Sequence, residues 1–373
     1  MSSQAQPVFS KHNPIQVMLV DDSRMVRQAL TEIIDQQPDM KVVASAANGK
    51  EAIHLMTENR VDVILLDVVM PVMDGITALP ELLRSAPHTP IIMCSILTTK
   101  AAAVSLKALE LGATDIILKP SSMATQEAFV NELQQKIRVF ANNAVTEVNN
   151  RHTPLRPVAE PLKPTKEQDT WSLRPVPERF TMQALAIGAS TGGPQALLRM
   201  LHMLDEKLPA VPIFVTQHMP PTFTTILADH ITSSSNIACM EAADGEKVEK
   251  NKIYLAPGDY HMEIRHINGE NRIHLTQEPP ENFCRPSVNP MLRSLTKIYG
   301  AHLLTVILTG MGMDGLDGCK EVIEHRGMLI AQNKQTSTVW GMPGAVAKAG
   351  LCSAILPLDD IAPYIIGLQE RKP

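Results

Sequence analysis

Cysteine is scarce in this chain. Five residues of 373 (Cys94, Cys239, Cys284, Cys319, Cys352) lie far apart, with no CxxC pair. That excludes a disulfide framework and fits free thiols in a reducing compartment. Aromatic residues are only 3%, too few for a base-stacking platform. An excess of positive charge is also missing. The net charge is −5, so no basic footprint points to nucleic acid. No stretch approaches the ~18 consecutive apolar residues of a membrane span, and no membrane insertion is expected. The opening residues, MSSQAQPVFSKHNP, contain no apolar core of a signal peptide, so the expected location is cytoplasmic. What is abundant is ordinary globular material: 44% hydrophobic and 20% charged residues. At roughly 100–200 residues per domain, two or three domains are expected.

Two α/β patterns flank one proline-rich stretch. Pro154, Pro157, Pro161, Pro164, Pro175 and Pro177 fall between Arg151 and Glu178. Proline removes backbone donors and pushes its predecessor toward extended conformations, so this stretch reads as a semi-extended linker. The first half offers short apolar runs at Ile15–Val20, Val61–Leu66, Pro90–Cys94 and Asp115–Leu118. Helical segments are expected at Ser23–Gln36, Gly49–Asn59 and Ala128–Asn142. Strands that read as nearly continuous apolar runs are covered on both faces, which predicts a doubly wound parallel sheet. The second half repeats the rhythm with strands expected at Ala184–Ser190, Pro212–Gln217, Lys252–Ala256, Leu303–Gly310 and Gly327–Gln332. Its expected helices are Gln195–Leu204, Val288–Tyr299 and Gly315–His325. Alternation around Asn268-Gly269 predicts an antiparallel hairpin inserted in this second α/β domain.

Ligands of doubly wound sheets bind at the carboxyl ends of the strands. In the first half those ends carry Asp21 and Asp22, then Asp67, Ser95 and Lys119. Three converging carboxylates repel one another unless a hard cation joins them, and Mg²⁺ suits such oxygen ligands. A metal-bridged Asp67 can attack a phosphoryl group, with Lys119 balancing the product charge. Taken singly, each residue is as well explained as a cap, a turn residue or a solvated charge; the joint placement carries the argument. The segments VDDS, LLDVVMPVMDG, MCSILT and LKP resemble the signature of response-regulator receiver domains, over about residues 15–140. The resemblance implies that Asp67 accepts phosphate from a histidine kinase. It also implies that Asp21, Asp22, Asp67 and the carbonyl of Val69 hold Mg²⁺, and that Ser95 and Lys119 form the switch.

In the second half, Gly188-Ala189-Ser190-Thr191-Gly192-Gly193 fits the strand-to-helix turn G-x-S-x-G that exposes a serine. Serine needs a base, and a histidine base needs an orienting carboxylate. His218 follows one strand, in QHMPP. Asp314 follows another, in TGMGMDG, with Asp317 an alternative acid or a helix cap. A Gly-rich turn that merely binds phosphate is the competing reading of the serine. The set GASTGGP, TQHMP, LAPGDYHM, RPSVNPML, LTGMGMDG and WGMPGAV resembles the catalytic domain of chemotaxis protein-glutamate methylesterases, over about residues 182–368. That resemblance implies Ser190 as nucleophile, His218 as base and Asp314 as its orienter. Thr191 and Met311 then line the site, with backbone N–H groups as oxyanion donors. The expected organisation is a receiver at 15–140, a linker at 141–180 and a methylesterase domain at 181–370. The implied activity is phosphorylation-regulated demethylation of glutamate methyl esters, with glutamine deamidation, on the cytoplasmic helices of chemoreceptors. A chemotaxis histidine kinase is the implied phosphodonor, and the esterase site is expected to need no cofactor. Two rivals remain: a receiver-controlled α/β-hydrolase acting on another target, and a receiver joined to a binding or DNA-directed output.

Overall fold

The computed structural model describes residues 9–120, 123–151, 171–177, 180–204, 210–235 and 237–370. The chain divides into two compact units, residues 1–162 and 163–373. In the first, β1 (Ile15–Val20), α1 (Arg24–Asp35), β2 (Met40–Ala46), α2 (Gly49–Glu58), β3 (Val63–Asp67), α3 (Gly75–Ser85), β4 (Ile91–Ser95), α4 (Thr99–Glu110), β5 (Asp115–Leu118) and α5 (Met123–Arg151) alternate along the chain. The five strands are parallel in the order β2-β1-β3-β4-β5. Every residue of β3 and β4 is buried, which is why these segments read as unbroken apolar runs. Helices α1 to α4 each start on a side-chain cap: Ser23, Asn48, Asp74 and Thr98. Each accepts a backbone N–H that the first helical turn leaves without a partner.

Helix α5 runs past the expected linker boundary at residue 140. ANNAVTEVNNR contains no proline or glycine to stop it, and the first breaker is Pro154. Four of the six linker prolines, Pro154 to Pro164, lie outside the described residues. Residues 171–177, containing Pro175 and Pro177, are irregular. They are tied to the second unit: the Trp171 and Trp340 rings lie 5.3 Å apart, and Arg174 N–H donates to the Cys352 carbonyl at 2.8 Å.

The second unit contains β6 (Ala184–Ala189), α6 (Gly193–Leu204), β7 (Ile213–Gln217), α7 (Phe223–Ser234), β8 (Ala238–Glu241), β9 (Lys252–Leu255), β10 (His261–Ile267), β11 (Glu270–Thr276), α8 (Val288–Tyr299), β12 (Leu303–Ile307), α9 (Leu316–Glu324), β13 (Met328–Gln332), α10 (Met342–Lys348), β14 (Ala354–Leu356) and α11 (Leu358–Glu370). Seven strands form one sheet in the order β14-β13-β12-β6-β7-β9-β8, every pair parallel. Strands β10 and β11 form the separate antiparallel hairpin, turning at Asn268 (φ 52°) and Gly269 (φ 82°). A buried cluster that includes Phe214, Tyr254, Val288, Leu292, Ile307 and Leu329 joins sheet, hairpin and helices. Each fully buried side chain of this size contributes about 1.5–3 kcal/mol of transfer free energy.

Both sheets are built outward from their first strand. The strand order reverses between β1 and β3 in one unit, and between β6 and β12 in the other. The crevice at such a reversal, outside the carboxyl ends, is where open α/β sheets bind ligands.

Candidate active site and phosphoacceptor pocket

Register sets the first pocket. Val20 pairs with Leu66, so Asp21 leaves β1 level with Asp67 at the end of β3. Ser95 ends β4 opposite Leu118, and Lys119 N–H donates to the Ser95 carbonyl at 2.8 Å. Lys119 Nζ reaches Asp21 Oδ2 at 2.7 Å and Asp67 Oδ1 at 2.8 Å. Ligand oxygens of Asp21, Asp22 and Asp67 all lie within 4.8 Å of one another. Three carboxylates against one ammonium leave an excess of negative charge. Burial pushes the Asp67 carboxyl up from its ordinary pKa, against the pull of Lys119. Burial acts to lower the Lys119 ammonium, but its bonds to Asp21 and Asp67 outweigh that and hold it raised. The all-oxygen, net-anionic donor set fits a hard divalent cation. A Cβ on Gly75 would sit 2.1 Å from the Asp67 carbonyl oxygen, so only glycine lets α3 start this close to the end of β3.

Ser95 is in place but faces elsewhere. Its hydroxyl is buried, 2.9 Å from the Ser105 hydroxyl of α4. Val69 lies in the exposed loop after Asp67, followed by Val72 at φ 68°, a strained conformation for a β-branched residue.

The second site has the same plan. Ala189 pairs with Gln217 across β6 and β7, and His218 N–H donates to the Ala189 carbonyl at 3.1 Å. Ser190 N–H donates to the Thr309 carbonyl at 3.1 Å, tying the serine turn to the segment after β12. Ser190, His218 and Asp314 thus leave three neighbouring strands at one edge. His218 Nε2 and Asp314 Oδ2 are 2.8 Å apart. In the neutral ring, the carboxylate fixes the proton on Nε2 and leaves the lone pair on Nδ1. Nδ1 faces the Cys284 thiol at 3.4 Å. The Ser190 hydroxyl has no hydrogen-bond partner among the described residues. A thiol is a weak donor, so exchanging it for the serine hydroxyl costs little. Catalytic hydrogen bonds often close only around substrate.

Asp314 is only 2% exposed yet amply satisfied. Its Oδ1 accepts from Ser287 Oγ at 2.7 Å and Asn282 Nδ2 at 3.0 Å, and its Oδ2 from Val288 N–H at 2.7 Å. Ser287 is the N-cap of α8, so the positive end of that helix also faces the carboxylate. Burial alone would raise the Asp314 pKa; the His218, Val288 and Ser287 bonds more than reverse it and hold it below the usual carboxylate value. Burial likewise disfavours the His218 cation, but its contacts with Asp314 and Cys284 outweigh this and raise its pKa. Asp317, the alternative acid, is exposed in the first turn of α9 and pairs with Lys320 at 2.7 Å.

Thr191 is buried and Met311 half-buried beside the serine turn. Neither backbone N–H has a partner among the described residues. Gly193 opens α6, where a Cβ would lie 1.9 Å from Gln217 Oε1. Gln217 Nε2 donates to the Ser190 carbonyl at 2.8 Å, bracing the serine turn. Asn282, Cys284, Ser287 and Gln217 have no role in the sequence reading, although RPSVNPML and TQHMP belong to its motif set. Asn282, Cys284 and Ser287 reach Asp314 and His218 from a loop distant in sequence, whereas Gln217 ends β7 just before His218.

Two family models match the chain: CheB methylesterase over residues 185–365 and response regulator receiver domain over residues 17–131. A protein-glutamate methylesterase/protein-glutamine glutaminase of Rhodospirillum centenum is 46% identical over 377 residues, covering 96% of this chain and 95% of that protein. The chain belongs to the protein-glutamate methylesterase/protein-glutamine glutaminase family. Another member, from Azospirillum brasilense, is 47% identical and spans 96% of this chain and 94% of its own length. The chain is also similar to the methylesterase catalytic domain of Thermotoga maritima CheB. That domain is 39% identical, with a TM-score of 0.49, covering 50% of this chain and 99% of the solved one. As a methylesterase-family enzyme with a receiver, it joins a hydrolytic site and a phosphoacceptor pocket in one chain. No described helix is long and apolar enough to cross a membrane.

Proposed function

We propose that this enzyme hydrolyses γ-glutamyl methyl esters on the cytoplasmic helices of chemoreceptors, and deamidates glutamines there, under control of phosphorylation at Asp67. The observation that carries this reading is the His218–Asp314 bond at the edge where Ser190 turns out of β6. Ser190 is the nucleophile. His218 takes its proton at Nδ1, because Nε2–H is committed to Asp314. Asp314 stays ionised, holds the ring and stabilises the imidazolium. The N–H groups of Thr191 and Met311 receive the oxyanion. His218 returns the proton to the leaving methoxide, methanol departs, and water attacks the acyl-enzyme by the reverse sequence. A glutamine side chain follows the same path with ammonia leaving. This chemistry needs no cofactor.

The receiver supplies the input. Asp21, Asp22, Asp67 and the Val69 carbonyl would hold Mg²⁺. When bound, this ion neutralises charge on a phosphoryl group and positions it for attack. Asp67 accepts phosphate from a chemotaxis histidine kinase, Lys119 balances the added charge, and Ser95 exchanges Ser105 for the phosphoryl group. The setting is the cytoplasm, with receptors and kinase as partners and no nucleic acid. Each demethylation adds one negative charge to a receptor helix, a local electrostatic bias on a two-state receptor.

The test is release of labelled methanol from methylated receptor membranes. Wild-type protein releases it and Ser190→Ala protein does not. Hydrolysis of small esters without any release from receptors selects the rival reading, a receiver-controlled hydrolase with another target.

A further inference from the structure

One aromatic side chain beside the triad is fully exposed. Glu281 and Cys284 close a two-residue turn by mutual backbone hydrogen bonds of 3.2 and 2.9 Å. The two central residues, Asn282 (φ 51°) and Phe283 (φ 64°), both have positive φ, the signature of a type I′ turn. That turn favours asparagine first and glycine second. Asparagine is present, but phenylalanine stands where glycine is preferred. Left-handed backbone is costly for a bulky residue. Burial does not compensate, because Phe283 is 102% exposed.

The turn is fastened to the catalytic residues on both sides of its tip. Asn282 bonds Asp314, and Cys284 contacts His218. Arg293 of α8 braces Glu281 through both carboxylate oxygens. Two further apolar side chains emerge from segments tied to the same place. Met313, 55% exposed, immediately precedes Asp314. Tyr260 follows Asp259, whose carboxylate holds Arg285 next to Cys284. A strained, solvent-facing aromatic on a rigid mount at the mouth of a site has the form of a contact surface, since strain of this kind is retained where function uses it.

We propose that Phe283 is a substrate-specificity residue that packs against the apolar surface of the receptor helix presenting the ester. This deepens, and rests on, the methylesterase reading above. A helix with its side chains is about 10–12 Å across, whereas a glutamyl side chain reaches only a few bonds beyond the backbone. For the ester carbon to meet Ser190, the helix must lie on the rim of the site, where Phe283 stands. Exposed aromatics carried on rigid turns are efficient anchors, because little conformational freedom remains to be lost on binding.

The experiment compares two substrates in the full-length protein by one assay, methanol release. One is methylated receptor membrane; the other is N-acetyl-glutamate γ-methyl ester, which has the reacting group without a protein surface. The readout is the ratio of the two kcat/KM values. Phe283→Ala is expected to lower that ratio roughly tenfold to a hundredfold, mainly through KM for receptors, and Phe283→Leu to restore most of it. An unchanged ratio overturns the proposal. So does an equal fall on both substrates, which means that the residue only holds Asn282 and Cys284 against the triad. Phe283→Gly, which fits the turn without strain, must show the same low ratio as Phe283→Ala; a wild-type ratio in it also overturns the proposal. Wild-type protein that cleaves the small ester but releases nothing from receptors overturns the methylesterase reading, and this inference with it. That result is distinct from a working wild type matched by its Phe283→Ala variant, which overturns the inference alone.

Discussion

Asp67 and Asp314 both stand at the carboxyl edge of their sheet beside a reversal of strand order, Asp67 as the last residue of β3 and Asp314 in the loop after β12. Both are buried, yet their environments drive them apart. Asp67 has Lys119, one backbone N–H and the unfavourable neighbour Asp21, and its pKa is raised. Asp314 accepts four hydrogen bonds, including one from a helix-capping serine and one from that helix's first N–H, and its pKa is lowered. An under-satisfied carboxylate retains affinity for a cation and an electrophile. A saturated one is held as an anion, which suits the orienting role proposed for it. On the proposed reading, the number of donors around each aspartate is what separates a nucleophile at Asp67 from an orienter at Asp314.

The largest test of this division is loss of each chemistry on its own. Ser190→Ala should lower kcat for methanol release by on the order of 10⁶-fold and leave acid-labile phosphate on Asp67 intact. Asp67→Asn should take up no acid-labile phosphate and lose the response of hydrolysis to phosphodonors. Phosphate uptake lost in Ser190→Ala, or retained in Asp67→Asn, breaks the separation.

Next in size is the orienting role. Asp314→Asn should reduce kcat by about 10⁴-fold, since the amide favours the wrong tautomer of its histidine. Asp317→Asn, at an exposed position, should be near wild type. The pH profile sharpens this. His218 is raised from its ordinary value, so kcat/KM should fall with acid through a midpoint above about 6.5. Residual activity in Asp314→Asn should show that midpoint moved to lower pH, because the carboxylate that favours the imidazolium is gone.

Stability gives opposite signs for the two aspartates. The folded pKa of Asp67 lies above its unfolded value, so stability is lost as pH rises through that interval, and the ionised group costs stability at neutral pH. The folded pKa of Asp314 lies below its unfolded value, so its contribution is present above about pH 4 and is lost as pH falls through the folded pKa. By calorimetry at pH 7, Asp67→Asn should raise the melting temperature of its transition and Asp314→Asn should lower that of the other. Shifts of the same sign would break the comparison.

Much of both sites was legible because their reactive residues sit immediately after apolar strands, where motif and topology coincide. Asp21, Ser190 and His218 directly follow their strands and Asp67 ends β3, while Asp314 lies farther along, in the Gly-rich loop that follows β12. Elements with mixed polarity were harder to read. Strand β2 carries Lys41 and Ser45 on exposed positions, β14 is only three residues long, and α7 offers several polar residues among its apolar ones. The support around Asp314 was not legible either. Ser287 and Asn282 are 27 and 32 residues from it in sequence, and neither residue type announces a distant partner. Ser287 caps α8, and that its hydroxyl also donates to the buried acid follows only from how the loops pack.

That second role of Ser287 yields the smallest effect. Ser287→Ala removes one of four donors to Asp314, together with the side-chain cap of α8. Val288 N–H and Asn282 still hold the carboxylate, so the His218 tautomer is preserved and kcat should fall by less than about tenfold. A hydrogen bond to a buried charge is worth about 1.5–3 kcal/mol. For a unit of this size each kcal/mol shifts the melting temperature by about 2–4 °C, so a loss of roughly 3–12 °C is expected, largest at neutral pH. As pH falls below the folded pKa of Asp314 the carboxyl becomes neutral, and the difference from wild type should shrink toward the cost of the cap alone. A loss that stays constant across that pH range would mean that Ser287 matters only as a cap, and that Asp314 is held by its other donors. A fall in kcat as deep as that of Asp314→Asn would mean the reverse: the four donors act as one unit, and the saturated carboxylate is far less robust than its hydrogen bonds suggest.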